Sequence, residues 1–522
     1  MTSKVTSVGL KGLEGYRVGG EVRISQDTES MVIVGLPDAS VKESRERVLA
    51  SLAHFDLDVT DRKVVVNLSP SDQKKNGALF DLAIAVAALK ELGEVKCEIP
   101  ADTAFVGWLS LDGSVVSGEG ILPAIIAAKG LGIRLIYLPD DPALPFHMLQ
   151  EVECVVVRHI EEVVGHLEGQ ESLLLSPRSI SERAFIANPG SFQKDFCHVI
   201  GHDGAKRALE IAAAGGHNVL MNGPPGCGKS LLAETFPSIL PPLSNKALLE
   251  VMSLYQIAGE KRLRDLSAPF RHPHHSASAV AIIGGGSNPR PGEISLAHQG
   301  VLFLDEIAEF SKKTLDMLRQ PLETGEVTIS RAHSTVTYPS SFILVGAMNP
   351  CPCGYLGSPH HYCTCSQKQI QAYRNRLSGP IYDRMDILLS LQLVNVNKPS
   401  HVKESSADIR KRVEAAHLEQ FDRYGEEVSN SNVPFEKMMA ASPLSNEQRQ
   451  LLTRVSSKQN WSNRVQIKII RLARTISDLA GEEQLSDGAI WEAMKLRRWD
   501  MNKPHLIARE NKYAFQKESS YT

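Results

Sequence analysis

Between residues 1 and about 165, short runs of apolar and β-branched residues alternate with stretches whose apolar positions recur every three or four residues. "SMVIVGL" (Ser30 to Leu36) reads as a strand, "PDASVKESRERVLASLAHF" as a helix opened by proline and aspartate, and "RKVVVNLSP" as a further strand. "GALFDLAIAVAALKELG" reads as a buried helix closed by its last glycine, and "ILPAIIAAKGLG" as another. The pattern predicts an α/β domain over residues 1–165. Residues 166–195 are polar and broken by proline and glycine, which suits a linker. Over residues 196–395 the order becomes helix, strand, glycine-rich loop, helix, with further strands in "GVLFLDEI" and "SFILVGAMN". Such alternation predicts a parallel sheet with its site at the C-terminal ends of the strands. Residues 396–500 read as helices, from "SADIRKRVEAAHLEQFDRY" to "SDGAIWEAMKLRRW", and residues 501–522 as a polar tail.

Length and charge narrow the classes. A chain of 522 residues is too long for one core. Its 42% hydrophobic and 22% charged residues are those of a soluble globular protein. A formal net charge of −3 gives no whole-molecule attraction to nucleic acid or anionic membrane, so such binding must use local patches. No apolar run approaches the roughly 20 residues needed to span a bilayer, and "MTSKVTSVGLKGLEG" lacks the apolar core of a signal peptide. The expectation is a cytoplasmic protein without a membrane partner, in which clustered cysteines bind metal rather than form disulfides.

The chemistry concentrates in the middle third. "GPPGCGKS" fits G-x-x-x-x-G-K-[ST] between a predicted strand and a predicted helix. Gly223, Pro224, Pro225, Gly226, Cys227, Gly228, Lys229, Ser230 and Leu231 are therefore expected to hold ATP. Backbone N–H groups would close on phosphate oxygens, Lys229 would reach the β- and γ-phosphates, and Ser230 would ligate Mg²⁺. "GVLFLDEI" ends a buried strand in two carboxylates: Asp305 to hold Mg²⁺ through water, and Glu306 to orient or deprotonate the attacking water. Asn349, ending the strand in "FILVGAMN", could position that water. Arg384, in "SGPIYDRMDILL", reads as either a surface salt bridge or an arginine finger presented to a neighbouring subunit's ATP. Arg464, at the start of the helix in "WSNRVQIKIIRLART", could reach the γ-phosphate of its own subunit, with Arg471 and Arg474 as alternatives one and two turns on.

Four of the eight cysteines crowd into residues 351–365. Cys351, Cys353, Cys363 and Cys365 form two C-x-C pairs around a glycine- and proline-rich loop that also holds His360 and His361. They could enclose one structural Zn²⁺ with four thiolates, or remain reduced thiols packed in the loop. "PFRHPHHS" brings His272, His274 and His275 together, for metal, for DNA or for a neighbouring subunit.

This set of motifs, in this order, resembles the magnesium-chelatase-like branch of the AAA+ ATPases. At finer grain it resembles the ComM/YifB family, through "GLPDASVKESRERVLASL", "VNLSPSDQKKNGALFDLAIAVA", "PFRHPHHSAS", "NPCPCG", "SGPIYDRMDI" and "RLARTISDLAG", over residues 1 to about 500. The resemblance implies an α/β fold with an N-terminal Lon/S5-like (ChlI-type) domain, a P-loop AAA+ core and a C-terminal helical lid. It also implies a homo-hexameric ring that hydrolyses ATP and moves on single-stranded or branched DNA, a branch-migration helicase or translocase in recombination or natural transformation. A magnesium-chelatase-like motor subunit and a protein-remodelling chaperone are the alternative functions. The N-terminal stretches resemble the Lon protease domain, but Leu79 and Leu122 stand near the positions of its serine and lysine, and Ser69, Ser71, Lys74 and Lys75 fall out of register. A peptidase is therefore not expected. "QKKNG" and "KESRER" could contact phosphates or be solvated faces.

Overall fold

The structure is a computed structural model that describes residues 3–27, 30–53, 55, 57, 62–75, 77, 79–149, 152–170, 194–260, 266–286, 288–331, 334–358, 361–394 and 404–498. Most of the predicted linker, the predicted tail and His360 lie outside these residues.

The N-terminal sheet has seven strands in the order Ser30–Val34, Arg62–Ser69, Glu14–Gln26, Ser3–Lys11, Thr103–Phe105, Leu135–Pro139, Glu153–Val157. The first two strands of the chain pair as an antiparallel hairpin, while the strands from Thr103 onward join in parallel. Side chains alternate across this sheet. Phe105, Tyr137, Val155 and Val157 face the layer containing the Asp81–Leu92 helix, whereas Ala104, Ile136, Leu138 and Val156 face the layer of the Ile121–Gly130 helix. Covered on both faces, Thr103–Phe105 and Leu135–Pro139 are almost wholly apolar.

The second sheet has five parallel strands in the order Phe270–Arg271, Val301–Leu304, Ile343–Met348, Val219–Asn222, Ile387–Ser390. All their C-terminal ends therefore open onto one edge. An antiparallel hairpin forms from Glu326–Arg331 and Ser334–Pro339. Beyond it come the helices Ser406–Tyr424, Asn446–Gln459, Asn463–Leu479 and Asp487–Arg497. Each of these four opens on a serine whose hydroxyl accepts an N–H of the first turn: Ser405, Ser445, Ser462 and Ser486. Among the described residues no helix is long and apolar enough to cross a membrane.

The two sheets meet where the Ile121–Gly130 helix lies on the core helix Asn245–Ala258. The Leu122 N–H donates to Gln256 Oε1 at 2.8 Å, and Glu119 pairs with Arg290 at 2.8 Å. Leu79 and Leu122, 4% and 1% exposed, sit in the apolar cluster on which Leu249 and Met252 pack.

Candidate functional site

Buried Val219, Leu220 and Met221 carry the chain straight into the glycine loop. Gly223 donates its N–H to the Met348 carbonyl at 3.2 Å, and a Cβ there would come within 2.7 Å of Cys227 Sγ and 2.9 Å of the Leu391 carbonyl oxygen. Only glycine allows that approach. The loop then enters the Lys229–Thr235 helix, so its backbone donors face the same space as the helix N-terminus. His202 sits against this loop, its Nε2 3.6 Å from where a Cβ on Gly228 would stand.

Lys229 reaches across the loop. Its Nζ donates to the carbonyls of Gly223 (2.6 Å) and Pro224 (3.0 Å) and to Asn349 Oδ1 (3.1 Å). Burial lowers its pKa from the ordinary amine value, opposed by Cys227, Asp305 and Glu306. Ser230 Oγ donates to Asp305 Oδ2 at 2.9 Å. Two hard oxygen donors thus converge beside the phosphate loop, the donor chemistry that suits Mg²⁺. Glu306 follows in a left-handed backbone (φ 49°) that costs a non-glycine residue roughly 1–2 kcal/mol. Its N–H donates to Asp305 Oδ1 at 2.8 Å, leaving its own carboxylate half-exposed, with His275 Nδ1 3.7 Å away. The structure thus gathers Lys229, Ser230, Asp305, Glu306 and Asn349 at one edge of the sheet.

The cysteine loop borders the same edge. The Sγ atoms of Cys351 and Cys353 are 3.4 Å apart, those of Cys351 and Cys363 3.7 Å, and those of Cys353 and Cys363 3.6 Å. All four, with Cys365, lie within 4.8 Å of one another. Four thiolates at about 2.3 Å from one tetrahedral ion stand about 3.8 Å apart, so the set fits zinc. The Leu356 N–H donates to Cys351 Sγ at 3.4 Å. Gly354 (φ 81°) turns the loop so tightly onto the phosphate loop that a Cβ there would be 2.8 Å from Pro225. The His361 ring packs on Tyr355 instead, with centroids 4.7 Å apart. Among the described residues this cysteine group is the only one in which three or more His, Cys, Asp or Glu ligand atoms lie close enough to share an ion, and His272, His274 and His275 are not gathered in that way.

Arg384 and Arg464 lie elsewhere. Arg384 precedes the strand Ile387–Ser390, which runs parallel to Val219–Asn222 with Ile387 beside Val219 and Ser390 beside Asn222. The phosphate loop leaves the far end of that pairing, so about four strand residues, roughly 13 Å, separate Arg384 from its own loop. Arg384 pairs with Glu323 at 2.6 Å, and Arg464 reaches the same carboxylate oxygen at 3.5 Å. Arg464, a candidate for its own subunit's γ-phosphate, shares the Glu323 carboxylate with Arg384 in this structure. Arg471 donates to the Val433 carbonyl at 2.8 Å, and Arg474 is wholly buried against Asp478, at 3.0 Å. Both are tied into the helical region.

Behind Arg384 lies a polar network that the sequence reading did not find. Asn218 donates from Nδ2 to the Arg384 carbonyl (3.2 Å) and from its N–H to Asp386 Oδ2 (2.9 Å). Lys468 donates to the Arg384 carbonyl at 2.9 Å and pairs with Asp386. His217, 1% exposed, lies beside them with its Nε2 2.8 Å from Thr475 Oγ1. The cations proposed for phosphate contact in the N-terminal domain are largely engaged. Arg47 pairs with buried Asp81 at 2.6 Å, Arg45 with Glu46 at 2.5 Å, and buried Lys75 donates to the Gln73 carbonyl at 2.8 Å.

Comparison with known proteins agrees with this layout. Family models described as "Magnesium chelatase, subunit ChlI", "Subunit ChlI of Mg-chelatase" and "Magnesium chelatase, subunit ChlI C-terminal" match residues 195–399, 21–141 and 403–497. The chain is 37% identical to YifB of Salmonella typhimurium over 491 residues, 93% of this chain and 95% of that one. It is 36% identical to the competence protein ComM of Haemophilus influenzae over 491 residues, with the same coverage. It is 21% identical over 347 residues to the magnesium-chelatase subunit ChlI homolog of Methanocaldococcus jannaschii, 60% of this chain and 86% of that one.

Proposed function

The chain belongs to the ComM/YifB family of magnesium-chelatase-like AAA+ ATPases, and from that premise we propose that it is a ring-forming motor that hydrolyses ATP to move on DNA. One observation carries the ring: Arg384 stands at the opposite end of the sheet from its own phosphate loop, beside Asn218 rather than Asn222, and Arg464 shares its Glu323 partner. A chain so arranged completes its site only with a neighbour's Arg384 and Arg464, which a closed homo-hexamer provides. DNA as the cargo rests on the likeness to a competence protein. The activity is then that of a branch-migration helicase or translocase acting in the cytoplasm on single-stranded or branched DNA.

Within each site, Gly223 to Leu231 would hold the phosphates, with Lys229 as the cation of the loop. Ser230 and Asp305 would hold Mg²⁺, which when bound supplies charge neutralisation between the phosphates. Glu306 takes the proton of the attacking water, and Asn349, fixed by its bond to Lys229, orients that water. Cys351, Cys353, Cys363 and Cys365 would hold a structural zinc, which when bound would stiffen a loop too polar to pack by itself. The N-terminal domain, residues 1–165, is not a peptidase, because Leu79 and Leu122 offer neither nucleophile nor base. ATPase rates measured with single-stranded, duplex and branched DNA, against none, test the cargo. Stimulation is expected, strongest on branched DNA, and no stimulation by any of the three refutes it.

A further inference from the structure

Glu323 belongs to none of the motifs above, yet both candidate arginines end on it. It lies in the short helix Pro321–Thr324, just ahead of the Glu326–Pro339 hairpin, with its side chain half-exposed. Arg384 Nη2 stands 2.6 Å from Glu323 Oε1, and Arg464 Nη2 stands 3.5 Å from the same oxygen. Arg384 has little freedom otherwise. Its Nε donates to the Arg319 carbonyl at 3.1 Å and its Nη1 to the Pro380 carbonyl at 2.8 Å, and its side chain is 11% exposed. Arg464, at the first turn of the Asn463–Leu479 helix, is 67% exposed. Glu323 is therefore the contact that ties the exposed cation to the buried one.

Two guanidinium groups brought to one spot repel each other, and a carboxylate between them offsets that repulsion while each retains outward N–H donors. We propose that Glu323 is a positioning residue that holds Arg384 and Arg464 as a pair for the neighbouring subunit's γ-phosphate. The inference rests on the reading that these arginines act in trans. A pair placed this way meets charge that grows in the transition state, so its loss should appear in turnover rather than in nucleotide affinity.

The test uses Glu323→Gln in the full chain, with ring assembly confirmed by mass. Expected is a fall in kcat of at least tenfold with KM for ATP within about twofold of the parent. Mixing is the readout that a merely structural role would not move. With Lys229→Ala protein, Glu323→Gln should gain activity above the weighted sum of the separate rates, because one subunit's intact Lys229 meets the next subunit's intact Glu323, Arg384 and Arg464. With Arg384→Ala protein it should gain nothing, both defects lying on the same side of the interface. Gain with Arg384→Ala, or an unchanged kcat, overturns the assignment. If Glu323→Gln fails to assemble, Glu323→Asp takes its place: the retained charge should restore assembly with a lowered kcat and the same mixing pattern, and parental turnover in Glu323→Asp overturns it. Arg384→Ala mixed with Lys229→Ala separates the two levels. Gain there, with none for Glu323→Gln plus Lys229→Ala, sinks only the role of Glu323; no gain there sinks the trans reading itself.

Discussion

Acid should weaken the packing between core and helical region before it touches the carboxylates, and His217 is the reason. Its imidazole is buried against Thr475, with Asp386 Oδ2 3.9 Å away and the cations Lys468 and Arg471 nearby. Burial pushes its pKa from 6.5 down to about 4, the two cations adding to that and Asp386 opposing it. Between those two values the unfolded chain takes up a proton that the folded chain refuses, so stability falls as pH falls through the window and is untouched above about pH 7. The shift is worth about 3 kcal/mol once both states lie below their pKa, and about 2 kcal/mol at pH 5. Asp386 does not contribute there. Lys468 holds its carboxyl below the usual range against the cost of burial, so its stabilisation is lost only below about pH 4.

The assay is urea unfolding at pH 7.5 and pH 5.0, for the parent and for His217→Gln, which keeps a hydrogen-bonding group for Thr475 but cannot titrate. Other groups titrate alike in both proteins and cancel. The parent should lose about 2 kcal/mol more than the variant between the two pH values. An equal loss in both would show that His217 is not held neutral by the fold.

Glu306→Gln should bind ATP with parental affinity and release little phosphate, measured by fluorescent nucleotide titration beside a phosphate-release assay; near-parental turnover removes its role as base. Cys363→Ser should reduce bound zinc from about one per chain to none by metal analysis. Absence of zinc from parent protein purified without chelator would favour packed thiols.

What the sequence made legible was local. Gly223 to Ser230, the pair Asp305 and Glu306, and the C-x-C pairs each sit within a few positions of one another, and their spacing alone forces backbone donors, carboxylates or thiols together. Three of the five parallel strands were equally legible, where apolar runs ended in polar residues at Asn222, Asp305 and Asn349. Long-range pairing was not. His217 and Thr475 meet across 258 positions, and Lys468 meets the Arg384 carbonyl across 84. No periodicity announces such contacts, because a buried lysine on an amphipathic helix has the same spacing as an exposed one. Charge runs misled for the same reason: Arg47 reads as a surface cation until Asp81, 34 positions on, is folded beneath it. Nothing local to its helix announces that Arg464 meets Glu323.

The buried pair of Lys468 and Asp386 poses the remaining question, whether it stabilises the fold or aims Arg384. Removing one partner of a buried ion pair strands the other charge and costs about 3–5 kcal/mol. Lys468→Met should therefore lower stability by up to about that much, with Asp386 keeping the Asn218 N–H at 2.9 Å, neutral His217 beside it and the more distant cations Arg471 and Arg497. Changing Asp386 to Asn in the same protein removes the stranded charge and keeps an acceptor for Asn218, so most of the stability should return. Turnover should not. The Arg384 carbonyl accepts from Lys468 at 2.9 Å and from Asn218 at 3.2 Å, and in the double variant the first of these donors is still missing. A misplacement of about 1 Å at a catalytic cation can cost 10²-fold in rate. Urea unfolding and DNA-stimulated ATPase on the same preparations separate the two roles. If turnover recovers together with stability, the pair serves the fold alone; if stability recovers and turnover stays low, its placement under Arg384 is what turnover requires.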